Sequence, residues 1–155
     1  MDTSLLKLPV QKVPVRLRYA SDEEIVGEIY LSQRSPTHLG PMTIRELLEQ
    51  PAPFFAFARA DRGDVLLNKE LVEVVRYDRG LFADELAAAD LIGRGRKVTI
   101  DLIGGLRVEG ELCEDQPPER ARPIDGLNQP GRFLRLRQED QFVLVNKARI
   151  LRGYA

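Results

Sequence analysis

Two Asn-Lys steps stand at matched places in the chain. Asn68-Lys69 closes the run Val65-Leu66-Leu67 and Asn146-Lys147 closes Val143-Leu144-Val145, at an offset of 78 with four of the five positions identical. A carboxamide beside an ammonium at a strand end could contact a polar ligand or partner, and the repetition would make a paired contact. The same step suits a tight corner, because Asn accepts left-handed backbone geometry and can bond its own neighbouring backbone. A second group is Arg132, Arg135 and Arg137, with Arg120 and Arg122 nearby. Guanidinium groups so clustered could receive phosphates or acidic peptide groups. Alternation places Arg135 and Arg137 on one solvent face, where charge would equally serve to keep an exposed sheet edge from pairing wrongly.

The remaining reactive residues are isolated. His38 is the only histidine, in the loop SPTHLGP, and no nucleophile or orienting acid stands near it in sequence. Cys113 is the only cysteine, falls at a strand position matched with Tyr30, and reads as a small buried or half-buried apolar group. The acid pairs Glu23-Glu24 and Glu114-Asp115 sit at strand ends, where solvated charges are common. No Cys/His cluster has metal-ligand spacing, and there is no phosphate-cradling glycine loop, nucleophile elbow or His-Glu-x-x-His helix. The expectation is a non-enzymatic protein with no catalytic residue, metal or cofactor.

Charge narrows the partners. The 23 Lys and Arg nearly cancel 24 Asp and Glu; residues 1–80 carry 11 basic and 12 acidic side chains, and residues 81–155 carry 12 of each. Neither half has the positive excess with which proteins grip a phosphate backbone, so nucleic acid is disfavoured and a protein partner or a second copy is favoured. A single cysteine, no basic start followed by an apolar stretch, and no run approaching a membrane helix point to a reducing cytoplasm and to no membrane.

These residues are carried by a unit written twice, over about 13–77 and 96–154. Val15–Tyr30 (VRLRYASDEEIVGEIY) aligns without a gap on Val98–Cys113 (VTIDLIGGLRVEGELC) at an offset of 83. Val15, Leu17 and Tyr19 match Val98, Ile100 and Leu102, each alternating with polar residues as half-buried strands do. Ser21-Asp22-Glu23 then matches Gly104-Gly105-Leu106 as a hairpin turn, and Gly27 matches Gly110 where a strand must bend or let another backbone come close. A proline-bearing connector and a short helix follow in each copy, MTIRELLEQ in the first and IDGLN in the second. Next come strands in which Phe55 and Phe57 alternate with alanines, and Leu134 and Leu136 with arginines; Phe54, Phe55 and Phe57 read as core. Between the copies, Phe82–Ala89 is rich in helix formers and is stopped by Gly93 and Gly95, which predicts a short linker helix.

Five short strands with a glycine-bearing hairpin and a tight final corner describe an SH3-like barrel. The stretches VTIDLIGGLRVEGEL and VLVNKARIL resemble the first and second sequence motifs of the Sm-like family. The likeness covers both copies, about two thirds of the chain, and extends to uncharacterised bacterial proteins with one copy of the unit. It implies a mainly β chain of two tandem SH3-like, Sm-like barrels, residues 1–78 and 96–155, joined by a linker with a short helix over 79–95. Sm-like proteins that bind RNA carry an Asp and an Asn in the loop after the second strand and an Arg-Gly step in the second motif. This chain has proline-rich connectors and Asn-Lys there. The function to expect is a non-catalytic interaction or assembly module, binding a protein partner or itself through sheet edges and strand-end loops; the alternative is RNA or single-stranded nucleic-acid binding by the Sm-like surface.

Overall fold

The computed structural model describes residues 10–82, 85, 95–113 and 122–155. In the first half these form β1 (Val10–Tyr19), β2 (Glu23–Ser32), α1 (Ile44–Glu49), β3 (Phe54–Arg59), β4 (Gly63–Asn68) and β5 (Val72–Asp78), with a 3-10 turn at Lys69–Leu71. The second half forms β6 (Lys97–Leu102), β7 (Arg107–Leu112), α2 (Pro123–Leu127), β8 (Phe133–Arg137), β9 (Gln141–Asn146) and β10 (Ile150–Tyr154), with a 3-10 turn at Lys147–Arg149. The chain is mainly β, as the alternation predicts. Its strands belong to one open antiparallel sheet in the order β10-β6-β7-β8-β9-β5-β1-β2-β3-β4, where two separate barrels were expected. The continuity comes from one junction: β5 pairs with β1 on one side and with β9 on the other. The linker helix and the acids Glu114-Asp115 lie outside the described residues, apart from Phe82 and Glu85.

Matching residues meet in both leading hairpins. Val15 faces Gly27 and Leu17 faces Ile25 in the first; Val98 faces Gly110 and Ile100 faces Val108 in the second. The turns differ in how they reverse the chain. Ala20 and Ser21 adopt positive φ (52° and 77°) in the first, whereas Gly105 supplies it (94°) in the second. Both bend glycines mark close approaches of backbone. A Cβ on Gly27 would stand 2.1 Å from the Ala58 carbonyl oxygen, and one on Gly110 would stand 3.1 Å from that of Arg137.

Two apolar clusters gather the buried side chains of the described residues. The first gathers Leu17, Ile29, Ile44, Leu48, Phe57 and Val75 with Phe133, Phe142 and Leu144 of the second half. The second gathers Ile100, Leu102, Val108, Leu134, Leu136, Val143 and Val145 with Val74 of the first. β9 thus feeds Phe142 and Leu144 to one cluster and Val143 and Val145 to the other, which is why its sequence is apolar throughout. Helix α1 lies against the outer face of β8, and Arg45 Nη2 donates to the Phe133 carbonyl at 2.9 Å. A Thr43–Glu46 capping box starts this helix. Phe54 departs from expectation: it is 55% exposed because it shares the outer face of β3–β4 with Leu66, while Phe55 and Phe57 point inward.

The crossing of β2 and β3 generates a test. Gly27→Ala sets a methyl carbon against a backbone oxygen that cannot rotate away, so urea denaturation is expected to show a loss of about 2–3 kcal/mol or more. Gly110→Ala, whose overlap is milder, should cost about 1 kcal/mol.

Candidate functional site

The Asn-Lys corners are built alike, and mostly from backbone needs. Asn68 and Asn146 cap the two 3-10 turns: Asn68 Oδ1 accepts from the Glu70 N–H and Asn146 Oδ1 from the Ala148 N–H, each at 3.0 Å. The bond to neighbouring backbone is the one expected, but neither Asn is left-handed (φ −84° and −68°). Each lysine turns back toward its own connector. Lys69 Nζ donates to the Gln50 carbonyl at 3.0 Å, at the C-cap of α1, and Lys147 Nζ donates to the Gln129 carbonyl beyond α2. Lys69 is 1% exposed, and burial above all, then the charge of Arg132, pulls its ammonium pKa down against the opposing pull of Glu49.

Asn146 does more than its counterpart. Its Nδ2 donates to the Val72 carbonyl at 2.9 Å and lies 3.3 and 3.4 Å from the carbonyls of Glu70 and Lys69. The second corner is thereby bonded to the backbone of the first. Beside this bond runs a groove of about 500 Å³ bordered by Lys69, Glu70, Arg132, Asn146, Lys147 and Arg149. Four of the seven residues singled out by sequence, Lys69, Arg132, Asn146 and Lys147, therefore meet at one seam between the halves. Glu49 is an unforeseen member: its carboxylate accepts from the Arg132 and Phe133 N–H groups at 2.7–2.8 Å. The seam can attract an anion, but part of its donor set already serves this internal carboxylate.

Arg135 and Arg137 share a face as expected, but it is not a solvent face. Their side chains are each 12% exposed; Arg135 is 3.3 Å from Glu85, and Arg137 Nη2 is 2.7 Å from Glu111. Tyr77 Oη donates to Glu85 at 2.6 Å, and burial followed by the Glu85 charge drives the phenol pKa well upward. His38 also has a partner that sequence proximity did not reveal: its Nε2 is 2.5 Å from Glu46, which accepts from Ser35 and Thr37 hydroxyls as well. The hydroxyl and the imidazole both bond the carboxylate, so the loop is tied to α1. Cys113 is buried, as its alignment with Tyr30 suggests. Among the described residues no group of three or more His, Cys, Asp or Glu could hold a metal, and no helix is long and apolar enough to cross a membrane.

The sheet has two terminal strands. Among the described residues β4 and β10 each pair on one side only, with β3 and β6 respectively. Both carry exposed apolar side chains: Leu66 is 76% exposed on β4, and Leu151 and Tyr154 are 55% and 45% exposed on β10. Such an edge offers a row of backbone donors and acceptors to another strand.

Two measurements check these assignments. Asn146→Ala strips buried carbonyls of their donor and should cost about 2–3 kcal/mol in chemical denaturation, against about 1 kcal/mol for the cap alone in Asn68→Ala. Burial by itself would raise the Glu46 carboxyl, but the bonds from Ser35, His38, Thr43 and Thr37 outweigh it and hold the pKa below the ordinary 4.5. The stability this contributes is present above pH 4.5 and is lost as pH falls through the lower folded value, so Glu46→Gln should flatten that acid limb of a stability–pH profile. No protein-family model matches the chain, and no curated protein or solved structure matches it either.

Proposed function

We propose that this chain is a non-catalytic assembly module: a tandem of two small Sm-like barrels that associates with further copies of itself by adding strand to strand at the sheet edges. The observation that carries this reading is the β5–β9 junction. There the last strand of one half pairs antiparallel with the fourth strand of the other, with Val74 opposite Val145, Val75 opposite Leu144 and Arg76 opposite Val143. Each half contributes its strands in the same order, 5-1-2-3-4 and 10-6-7-8-9. The last strand of the second half, β10, and the fourth strand of the first, β4, are thus the two members of the same kind of pair that remain single. Moving both strands by the offset of 78 puts Arg152 opposite Leu67, Gly153 opposite Leu66 and Tyr154 opposite Val65 of another copy. Backbone hydrogen bonds supply the affinity in such an addition and the alternate side chains supply the choice of partner.

A second reading has one feature in its favour: the seam groove is bordered by Lys69, Arg132, Lys147 and Arg149 against Glu70, with the Glu49 carboxylate beside it. Single-stranded nucleic acid would take its phosphates there, with a steep salt dependence.

Light scattering over micromolar concentrations, with hydrogen exchange on the same samples, separates the two. Assembly predicts a mass that rises with concentration and β4 and β10 amides that become protected together. A single-chain mass throughout, with concentration-independent exchange at both edges, rejects it. A salt-sensitive shift of labelled oligo(U) or oligo(A) would move the seam reading ahead.

A further inference from the structure

The internal junction buries more than a ladder of hydrogen bonds. Phe133 and Leu144, on the outer face of β8–β9, are 1% and 0% exposed because α1 and β5 cover them. The residues at the same places in the first half are Phe54 and Leu66, at offsets of 79 and 78. These are 55% and 76% exposed, and they lie on one face, since Phe54 pairs with Asn68 and Ala56 with Leu66. At the opposite end of the sheet, α2 and β10 hold the places of α1 and β5, and among the described residues no further strand pairs with the outer edge of β10. An apolar cleft of about 180 Å³ opens there between Ile100, Ile124, Leu127 and Gly153. Gly153 stands where the buried Val75 stands in the first half, so a side chain is missing from the cleft wall.

We infer that the cleft between α2 and β10 receives Leu66 and Phe54 of a second copy, so that every copy presents its β3–β4 face to one neighbour and its α2 cleft to another. The inference rests on the assembly reading and adds the side chains that make the contact selective. In the shifted register Leu66 falls opposite Gly153, and its isobutyl group lies across the mouth of the cleft toward Ile124 and Leu127, since a Cβ on Gly153 would already stand 3.3 Å from Ile100 and 3.6 Å from Leu127. Leu151, 55% exposed, would be covered as Glu73 is at the same place of the internal junction, where exposure is 0%. Asn68, whose Oδ1 already caps its turn, would offer its Nδ2 to the carbonyls around the 3-10 turn of β10, as Asn146 does to Lys69, Glu70 and Val72.

Two residue differences keep this contact chemically distinct from the internal one. At the internal junction Glu49 accepts from the N–H groups of Arg132 and Phe133. The matching positions at the outer contact are Asn128 against Pro53 and Phe54. Proline has no N–H to offer, and a neutral amide replaces the carboxylate. The contact is heterologous, because the two surfaces differ, and it propagates from copy to copy unless the rotation closes a ring.

The test uses two single-cysteine substitutions in the full chain, Leu66→Cys and Gly153→Cys; the native Cys113 is buried and stays silent. Under mild oxidation a mixture of the two variants should yield a disulfide-linked heterodimer, while either variant alone should not. Phe54→Asp and Ile124→Asp, both at exposed positions that leave the core intact, should each weaken association at least about tenfold with an unchanged thermal melt. Cross-linking of Leu66→Cys with itself, or association that survives both aspartates without a mixed cross-link, overturns this docking while leaving edge assembly standing. A wild-type chain that stays single at every concentration overturns both.

Discussion

Everything in this molecule is organised by the need of β5 for hydrogen-bond partners along both of its edges. β1 satisfies one edge and β9 satisfies the other, and the second choice fuses ten strands into one sheet. Once β5 and β9 are adjacent, both faces of the central strands must be covered. The second cluster covers one face with Val74, Val143 and Val145; α1 and the first cluster cover the other, over Phe133, Phe142 and Leu144. Polar groups follow the same geometry. Asn146 bonds the carbonyl of Val72, Glu49 takes the N–H groups that start β8, and Arg45 reaches the Phe133 carbonyl. Each serves backbone groups at the seam, and where such a group is buried the loss of its partner costs more than losing an exposed bond.

Much of the fold was legible because alternation and glycine placement are local. The hairpins pair Val15 with Gly27 and Val98 with Gly110, as the gapless alignment requires. The fusion of the halves was not read, since strand pairing is made by backbone and leaves no side-chain signature of its own. A trace existed in Val74-Val75 and in the run Phe142–Val145, adjacent apolar residues without strict alternation, as strands covered on both faces have. The side that Phe54 takes is hidden from sequence for a related reason. In Phe54-Phe55-Ala56-Phe57 the alternation fixes two faces but does not say which of the first two rings faces the core, and only Phe57 breaks the tie.

The seam was legible in part. The Asn-Lys steps stood out because they are repeated, yet their repetition reports a repeated turn and a repeated lysine bond to a connector carbonyl. The acceptors had a signal of their own in Gln50-Pro51 and Gln129-Pro130, each followed at the same spacing by Phe54 and Phe133. Arg135 and Arg137 share one face, as alternation requires, but it is a covered face and not a solvent face; the covering acids Glu85 and Glu111 lie 50 and 26 residues away and no periodicity links them. His38 and Glu46 were separated by a loop and a helix start, so only the folded connector brings them together.

The position of β5 also governs how a growing chain must behave. β5 ends at Asp78 and its partner β9 begins at Gln141, so 141 minus 78, or 63, residues have still to be synthesised when β5 is complete. Until then a nascent first half displays Val74 and Val75 on a bare, strongly apolar strand border, the type of border that invites mispairing between neighbouring ribosome products. How long that border stays bare is set by the time taken to make the linker and β6–β8, a quantity that the stability of the finished fold does not enter.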